Sequence, residues 1–283
     1  AAEAGKAKIE MLLSENVKRK KLSEEEKIRL LKKVKTDESL ENISSSDLVI
    51  EAVFEDLNLK HNLYKKIEPH LKEGAILASN TSTLPITKLS EVLADSTRFL
   101  GIHFFSPVDK MNLVELIKSE RTNDNALAVA LDKTSMNKKT PIVDNDSRGI
   151  YAKRCIIPYI NEGLRMLSEG IEPALIENSA KQIGMPVGPL QLLDELSVSL
   201  ALNVAKETKE ALGTKYEETG TESILLEMSK NNRLGRKELA GFYEYDEKGR
   251  RLKLWEGLRN LKVANTSANI TTGSVKSRLA YVQ

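Results

Sequence analysis

The chain has 283 residues, 40% hydrophobic and 30% charged, with a formal net charge of +2. That length spans about two domains with a sizeable core, and the near-neutral charge gives no strong field toward nucleic acid or an anionic membrane. A single cysteine, Cys155, excludes an intrachain disulfide framework and suits a reducing compartment, and no apolar run approaches the roughly 18 residues of a membrane helix.

Residues 1–15 place Ile9, Leu12 and Leu13 at helical spacing. Lys18 to Lys21 form a basic run, KRKK. Ser23 then opens a helix: SEEE sets Ser23 as N-cap and Glu26 three residues on, a capping box ahead of Ile28, Leu30 and Leu31. From Asp47 the rhythm changes. DLVIEAV reads as a buried strand and 57–71 as a helix; GAILASN (74–80) as a second strand and 86–93 as a helix. FLGIHFF (99–105) is a third strand, LVELIK (113–118) a fourth, 124–135 a helix and TPIVD (140–144) a fifth strand. Continuous apolar strands alternating with amphipathic helices predict a mostly parallel sheet covered on both faces.

After Gly149 the strands are expected to stop. Residues 150–168, 171–184 and 190–212 read as helices, with MPVGP (185–189) as a rigid connector. A domain boundary is expected near Asp146. After Tyr245 the text turns charged (DEKGRRLK) and then Asn/Thr/Ser-rich (VANTSANITTGS), which reads as a linker. No internal repeat is visible. The opening AAEAGKAKIEMLL lacks an initiator Met and a leading strand, and both ends read as cuts through a longer protein.

Three side chains stand out. Ser82 lies just past a strand end, where open parallel sheets bind ligands; it would contact a substrate oxygen or cap the next helix. His103 ends the third strand and, taken alone, is either structural or chemical. Glu115, twelve residues on, is an acid inside an apolar strand, and a buried acid needs a partner such as an imidazole. A His held by a carboxylate is the architecture of a general base.

SDLVIEAVFEDLNLK, ASNTSTLPIT, GIHFFSPVDKMNLVELI, PYINEGLRMLSEG, MPVGPLQLLDE and LGRKELAGFYEY occur in that order. In order and spacing they resemble the 3-hydroxyacyl-CoA dehydrogenases, over roughly residues 1–245, in a style closest to the dehydrogenase part of multifunctional fatty-acid oxidation enzymes. The resemblance implies an α/β domain followed by an all-α domain: a truncated Rossmann-like NAD-binding domain over 1–146, a helical domain over 147–245, and over 246–283 a linker and the start of a second helical repeat. It implies NAD-dependent oxidation of (S)-3-hydroxyacyl-CoA to 3-ketoacyl-CoA in β-oxidation. His103 is then the base, Glu115 its orienting carboxylate, and Ser82 touches both cofactor and substrate. Val53, Phe54, Glu55 and Lys60 are implied to line the cofactor; read without the family, Glu55 is a loop acid and Lys60 a solvated helix residue. Ser106 stands where the family usually has Asn against the cofactor. The 18–21 run either faces CoA phosphates or is a solvated helix end.

Two departures matter. No G-x-G-x-x-G occurs: after Gly5 the next glycine is Gly74. The anion site such a turn makes at a helix N-terminus is therefore missing from these residues, and the expectation is weak NAD binding and an unpaired sheet edge. The family's G-F-x-V-N-R appears as GIYAKR, which puts Lys153 where an Asn contacts substrate. Lys offers charge and only donors; it would donate to the substrate carbonyl, compete for Glu115, or turn outward. The rival functions are a non-catalytic homologue retaining only the scaffold, and another hydroxyacid or sugar-phosphate dehydrogenase. The implied partners are an acyl-CoA substrate, a dimer mate or second helical repeat, and a thiolase in a multifunctional assembly; neither nucleic acid, membrane span nor metal is expected. The implied location is cytoplasmic, or peroxisomal or mitochondrial in a eukaryote.

Overall fold

The computed structural model describes residues 2–147, 149–216, 220–261 and 270–283. The chain forms two compact units, one ending at Ile150 and the other starting at Tyr151.

The first unit opens with α1 (Ala2–Lys18) and α2 (Glu24–Lys33). The capping box forms as read: Ser23 Oγ accepts from the Glu26 amide at 3.1 Å and Glu26 Oε2 from the Ser23 amide at 3.0 Å. Neither helix buries a residue, and Ile9, Met11, Leu12 and Ile28 stay exposed. The sheet follows, with β1 (Leu48–Glu51), α3 (Leu57–Ile67), β2 (Ile76–Ser79), α4 (Ile86–Ser90), β3 (Phe99–Phe104), β4 (Leu113–Lys118), α5 (Asp124–Met136) and β5 (Thr140–Asn145). The strands lie in sequence order, parallel throughout except for the antiparallel β3–β4 pair. Among the described residues β1 pairs only with β2, so it forms one edge.

Side chains alternate across a strand, and two cores result. Leu77, Phe99 and Ile117 pack with Tyr64, Ile67, Ile86 and Leu89 from the α3 and α4 side. Ile76, Ala78, Leu100, Ile102, Val114 and Leu116 pack with Ala126 and Ala130 of α5. Each fully buried Leu, Ile or Phe contributes about 1.5–3 kcal/mol. The α3/α4 face also carries Glu51 and Ser79, two positions beyond Val49 and Leu77, and His103, four beyond Phe99, so the same alternation that builds the core sets a polar layer at the carboxyl edge.

The second unit contains α6 (Tyr151–Ser168), α7 (Pro173–Gln182), α8 (Pro189–Leu196), α9 (Val198–Leu212), α10 (Thr221–Lys230), β6 (Tyr243–Tyr245), β7 (Arg251–Leu254) and α11 (Thr272–Tyr281). α6 and α8 approach closely at Gly163, where an added Cβ would sit 2.5 Å from Pro189 Cβ. Three expectations are corrected. The single helix over 190–212 is two, because Ser197 adopts φ 92° and its hydroxyl caps α9 through the Leu200 amide at 3.3 Å. Strands do not stop at Gly149: β6 and β7 form an antiparallel hairpin. Residues 246–261 are not a linker, since they complete that hairpin with β7 and form a 3-10 turn, burying Leu258 and Leu261 in the core. Residues 262–269 of the expected linker lie outside the described residues. Val275 and Leu279 of α11 are fully buried in the same core, and Arg278 bonds Glu162 and Glu169. No described helix is long and apolar enough to cross a membrane.

Candidate active site

His103 and Glu115 are partners in the antiparallel register of β3 and β4, on the same face, and His103 Nδ1 lies 2.6 Å from Glu115 Oε2. The Glu115 side chain is fully buried and that of His103 is 12% exposed. A carboxylate only accepts, so it fixes the proton on Nδ1 and leaves Nε2 as the basic nitrogen. The Phe105 ring meets the imidazole edge-on at 4.8 Å. Asn80, just past β2, accepts from the Phe104 amide at 3.0 Å and so ties the ends of β2 and β3 together.

The neighbouring loops are held by two carboxylates. Glu51, at the end of β1, accepts from the Val53 amide (2.7 Å), Lys60 Nζ (2.6 Å), the Tyr64 hydroxyl (2.6 Å) and the Ser79 hydroxyl (2.8 Å). Burial and the bond to Glu51 push the Tyr64 phenol far above its usual range. Glu55 Oε1 accepts from the Thr81 hydroxyl (2.5 Å), the Ser82 and Thr83 amides (3.0 Å each) and the Thr83 hydroxyl (2.6 Å). Burial works to raise the Glu55 carboxyl, but these bonds and the Lys60 charge overcome it and hold it at about 2.

The family-implied residues thus fall into two groups. Ser82 is half-buried on the loop that Glu55 organises, while Val53 and Phe54 are exposed, at 39% and 87%, and Ser106 is exposed beyond β3. Lys60 is instead 1% exposed, with its ammonium on Glu51 and 3.4 Å from Glu55; the solvated-lysine reading does not hold, and its charge is spent inside the protein. Lys153 lies in the first turn of α6, in the second unit. The basic run of residues 18–21 ends α1 and forms the turn before α2.

Sequence reading missed Glu51 and Asp144. Glu51 carries the same signal as Glu115, an acid inside an apolar strand. Asp144, on β5, faces the same side as Glu115 one pair along; burial and then the Glu115 charge raise its carboxyl, and its Oδ2 is buried with no hydrogen-bond partner.

An open α/β sheet gathers its loops at the carboxyl edge, where such sheets bind ligands, and a carboxylate-held imidazole there can act as a general base. Residues 1–147 match the 3-hydroxyacyl-CoA dehydrogenase NAD-binding domain and 149–245 the C-terminal domain of the same family, and the chain belongs to the 3-hydroxyacyl-CoA dehydrogenases. NAD is the cofactor of that first domain. The chain is similar to (S)-3-hydroxybutyryl-CoA dehydrogenase PaaH1 from Ralstonia eutropha, with 35% identity over 87% of each chain and a TM-score of 0.79. It is similar to M. tuberculosis FadB2, with 30% identity over 86% of each and a TM-score of 0.78. The dehydrogenase part of multifunctional enzyme 1 from C. elegans aligns over 99% of this chain and 64% of that one, at 27% identity and a TM-score of 0.68.

Proposed function

We propose that this chain carries the base and the nicotinamide-side loops for reversible oxidation of (S)-3-hydroxyacyl-CoA to 3-ketoacyl-CoA. The observation that supports it is His103 Nδ1 bonded to buried Glu115, which leaves Nε2 as the free base at the carboxyl edge. The 3-hydroxyl proton passes to Nε2. Glu115 keeps the ring oriented and offsets the positive charge that develops on it. NAD, when bound, supplies the acceptor for the C3 hydride. The residues fit the nicotinamide end: Val53 and Phe54 offer exposed apolar surface, and Ser82 and Ser106 offer hydroxyls. The pyrophosphate end is not served by a Gly-rich turn among these 283 residues. We place the reaction in fatty-acid β-oxidation on the strength of the resemblance to multifunctional enzymes, and assign Lys153 a contact with substrate on its place in GIYAKR.

The test is acetoacetyl-CoA reduction with NADH, in a chimera carrying the Gly-rich strand and turn of another family member ahead of Ala1. His103→Gln should lower kcat by about 10²–10⁴-fold with NADH affinity little changed. Turnover equal to that of the parent chimera would sink the assignment. A chimera that binds NADH but never turns over would favour the scaffold-only reading.

A further inference from the structure

Glu51 and Lys60 form an ion pair with side chains 0% and 1% exposed. Buried pairs of this kind are weak contributors to stability, because desolvation offsets their attraction, and apolar replacement is often neutral or stabilising. Stability alone therefore gives no reason for the pair; what it holds in place does. Lys60 Nζ spans from Glu51 Oε1 (2.6 Å) to Glu55 Oε2 (3.4 Å) and the Val53 carbonyl (3.4 Å). Glu55 in turn anchors the Thr81, Ser82 and Thr83 loop through four donors on a single oxygen. A second route runs through Ser79, which donates to Glu51 at 2.8 Å and accepts from the Thr81 amide at 3.2 Å. One carboxylate at the end of β1 thus reaches the loop after β2 along two paths.

We propose that Glu51 is a positioning residue, holding the Ser82 loop in its ligand-facing shape through Lys60–Glu55 and through Ser79. The proposal rests on the reading of Ser82 as a ligand contact. It accounts for a fully buried lysine, and it assigns a role to a fully buried acid whose partners are all protein groups.

The test uses the whole chain and amide hydrogen exchange at Ser82 and Thr83, with amides of β3 and β4 as internal controls. Two variants are compared, Glu51→Gln and the double variant Glu51→Gln with Lys60→Met. The double variant leaves no unpaired ammonium inside, so it should melt near the parent temperature. Exchange at Ser82 and Thr83 should rise about tenfold in both, while the β3 and β4 amides stay within about twofold. In the acetoacetyl-CoA assay of the chimera, kcat should fall about tenfold with a smaller change in KM. A residue serving stability alone would be rescued in every readout by the double variant. Parent-like exchange at Ser82 and Thr83 in the double variant would overturn the proposal, as would a loss of protection spread evenly over β3 and β4. Absence of turnover in the parent chimera counts against the dehydrogenase reading and leaves the exchange result to decide this one.

Discussion

Glu115 stands directly opposite His103 across the antiparallel β3–β4 pair, with its Oε2 2.6 Å from the imidazole Nδ1. Directly opposed residues in such a pair share a face and hold their Cβ atoms about 5 Å apart. A separation of twelve residues in sequence becomes contact because the chain reverses between the two strands. Had β4 run parallel to β3, as β1 and β2 do, the register would not return Glu115 to the carboxyl edge.

This relationship predicts how Glu115→Gln behaves. The amide keeps the shape and can accept from Nδ1–H, but it offers no charge to the imidazolium formed during oxidation. In the chimera, kcat should fall about 10- to 100-fold with KM little changed. Steady-state rates against pH measure it, and a kcat within twofold of the parent would mean that orientation, and not charge, is what Glu115 supplies.

The strands were readable because each is a continuous apolar run, and the sheet is covered on both faces as such runs require. Ser23 and Glu26 were readable because a capping box is purely local. What sequence could not show depended on tertiary context. β7 is RLKL, short and charged, and it forms because β6 offers an antiparallel partner. The break at Ser197 interrupts a stretch with good helical periodicity, and nothing in the local sequence signals a positive φ there. Lys60 reads as a solvated helix residue by type, yet it is buried because Glu51, nine residues earlier, waits beneath it. Of the site, His103 and Glu115 were legible by spacing and residue type, whereas the work of Glu55 and Glu51 lies in bonds to residues up to 28 positions away.

Gly101 predicts a packing effect. A Cβ there would lie 2.8 Å from Ile117 Cδ1 and 2.9 Å from Ile86 Cδ1, both in the core below His103. Gly101→Ala should therefore destabilise the first unit by about 1–3 kcal/mol. Urea denaturation of parent and variant gives the difference, and an unchanged midpoint would show that the two isoleucines move aside freely.

Glu55 predicts an acid-sensitive loop. Its carboxyl titrates at about 2 when folded against an ordinary value of 4.5. Between those values the unfolded chain binds the proton and the folded one does not, so the contribution is complete above pH 4.5 and is lost as pH falls toward 2. Glu55→Gln should be less stable than the parent at neutral pH, and the gap should narrow on acidification from pH 5 to 3. Thermal melts across that range check it; a gap that stays constant with pH would rule out the charge on Glu55 as the cause.

Asp194 predicts the opposite slope in the second unit. Its carboxylate is 2% exposed and accepts from the Phe242 amide (2.7 Å), the Tyr243 amide (2.9 Å) and the Tyr245 hydroxyl (2.9 Å), so it fastens the β6 strand to α8. Burial raises it to about 6, although those bonds and the nearby Arg233 charge work to lower it. The ordinary value is 3.8. Between 3.8 and 6 the folded chain keeps the proton that the unfolded chain has lost, so the Asp194 contribution falls as pH rises through that window and is flat above it. Asp194→Asn is neutral at every pH and lacks this dependence. It replaces one acceptor oxygen with an NH2 donor facing a backbone amide, so it should be the less stable protein at pH 4. As pH rises from 4 to 6 the parent should lose roughly 1–3 kcal/mol relative to the variant. Glu177, also buried and raised, titrates in both proteins and cancels from the difference. Urea unfolding followed by Trp255 fluorescence, at half-unit steps of pH, measures the two curves. If their separation does not change between pH 4 and 6, Asp194 is charged throughout, and the three donors and Arg233 outweigh the cost of burying it.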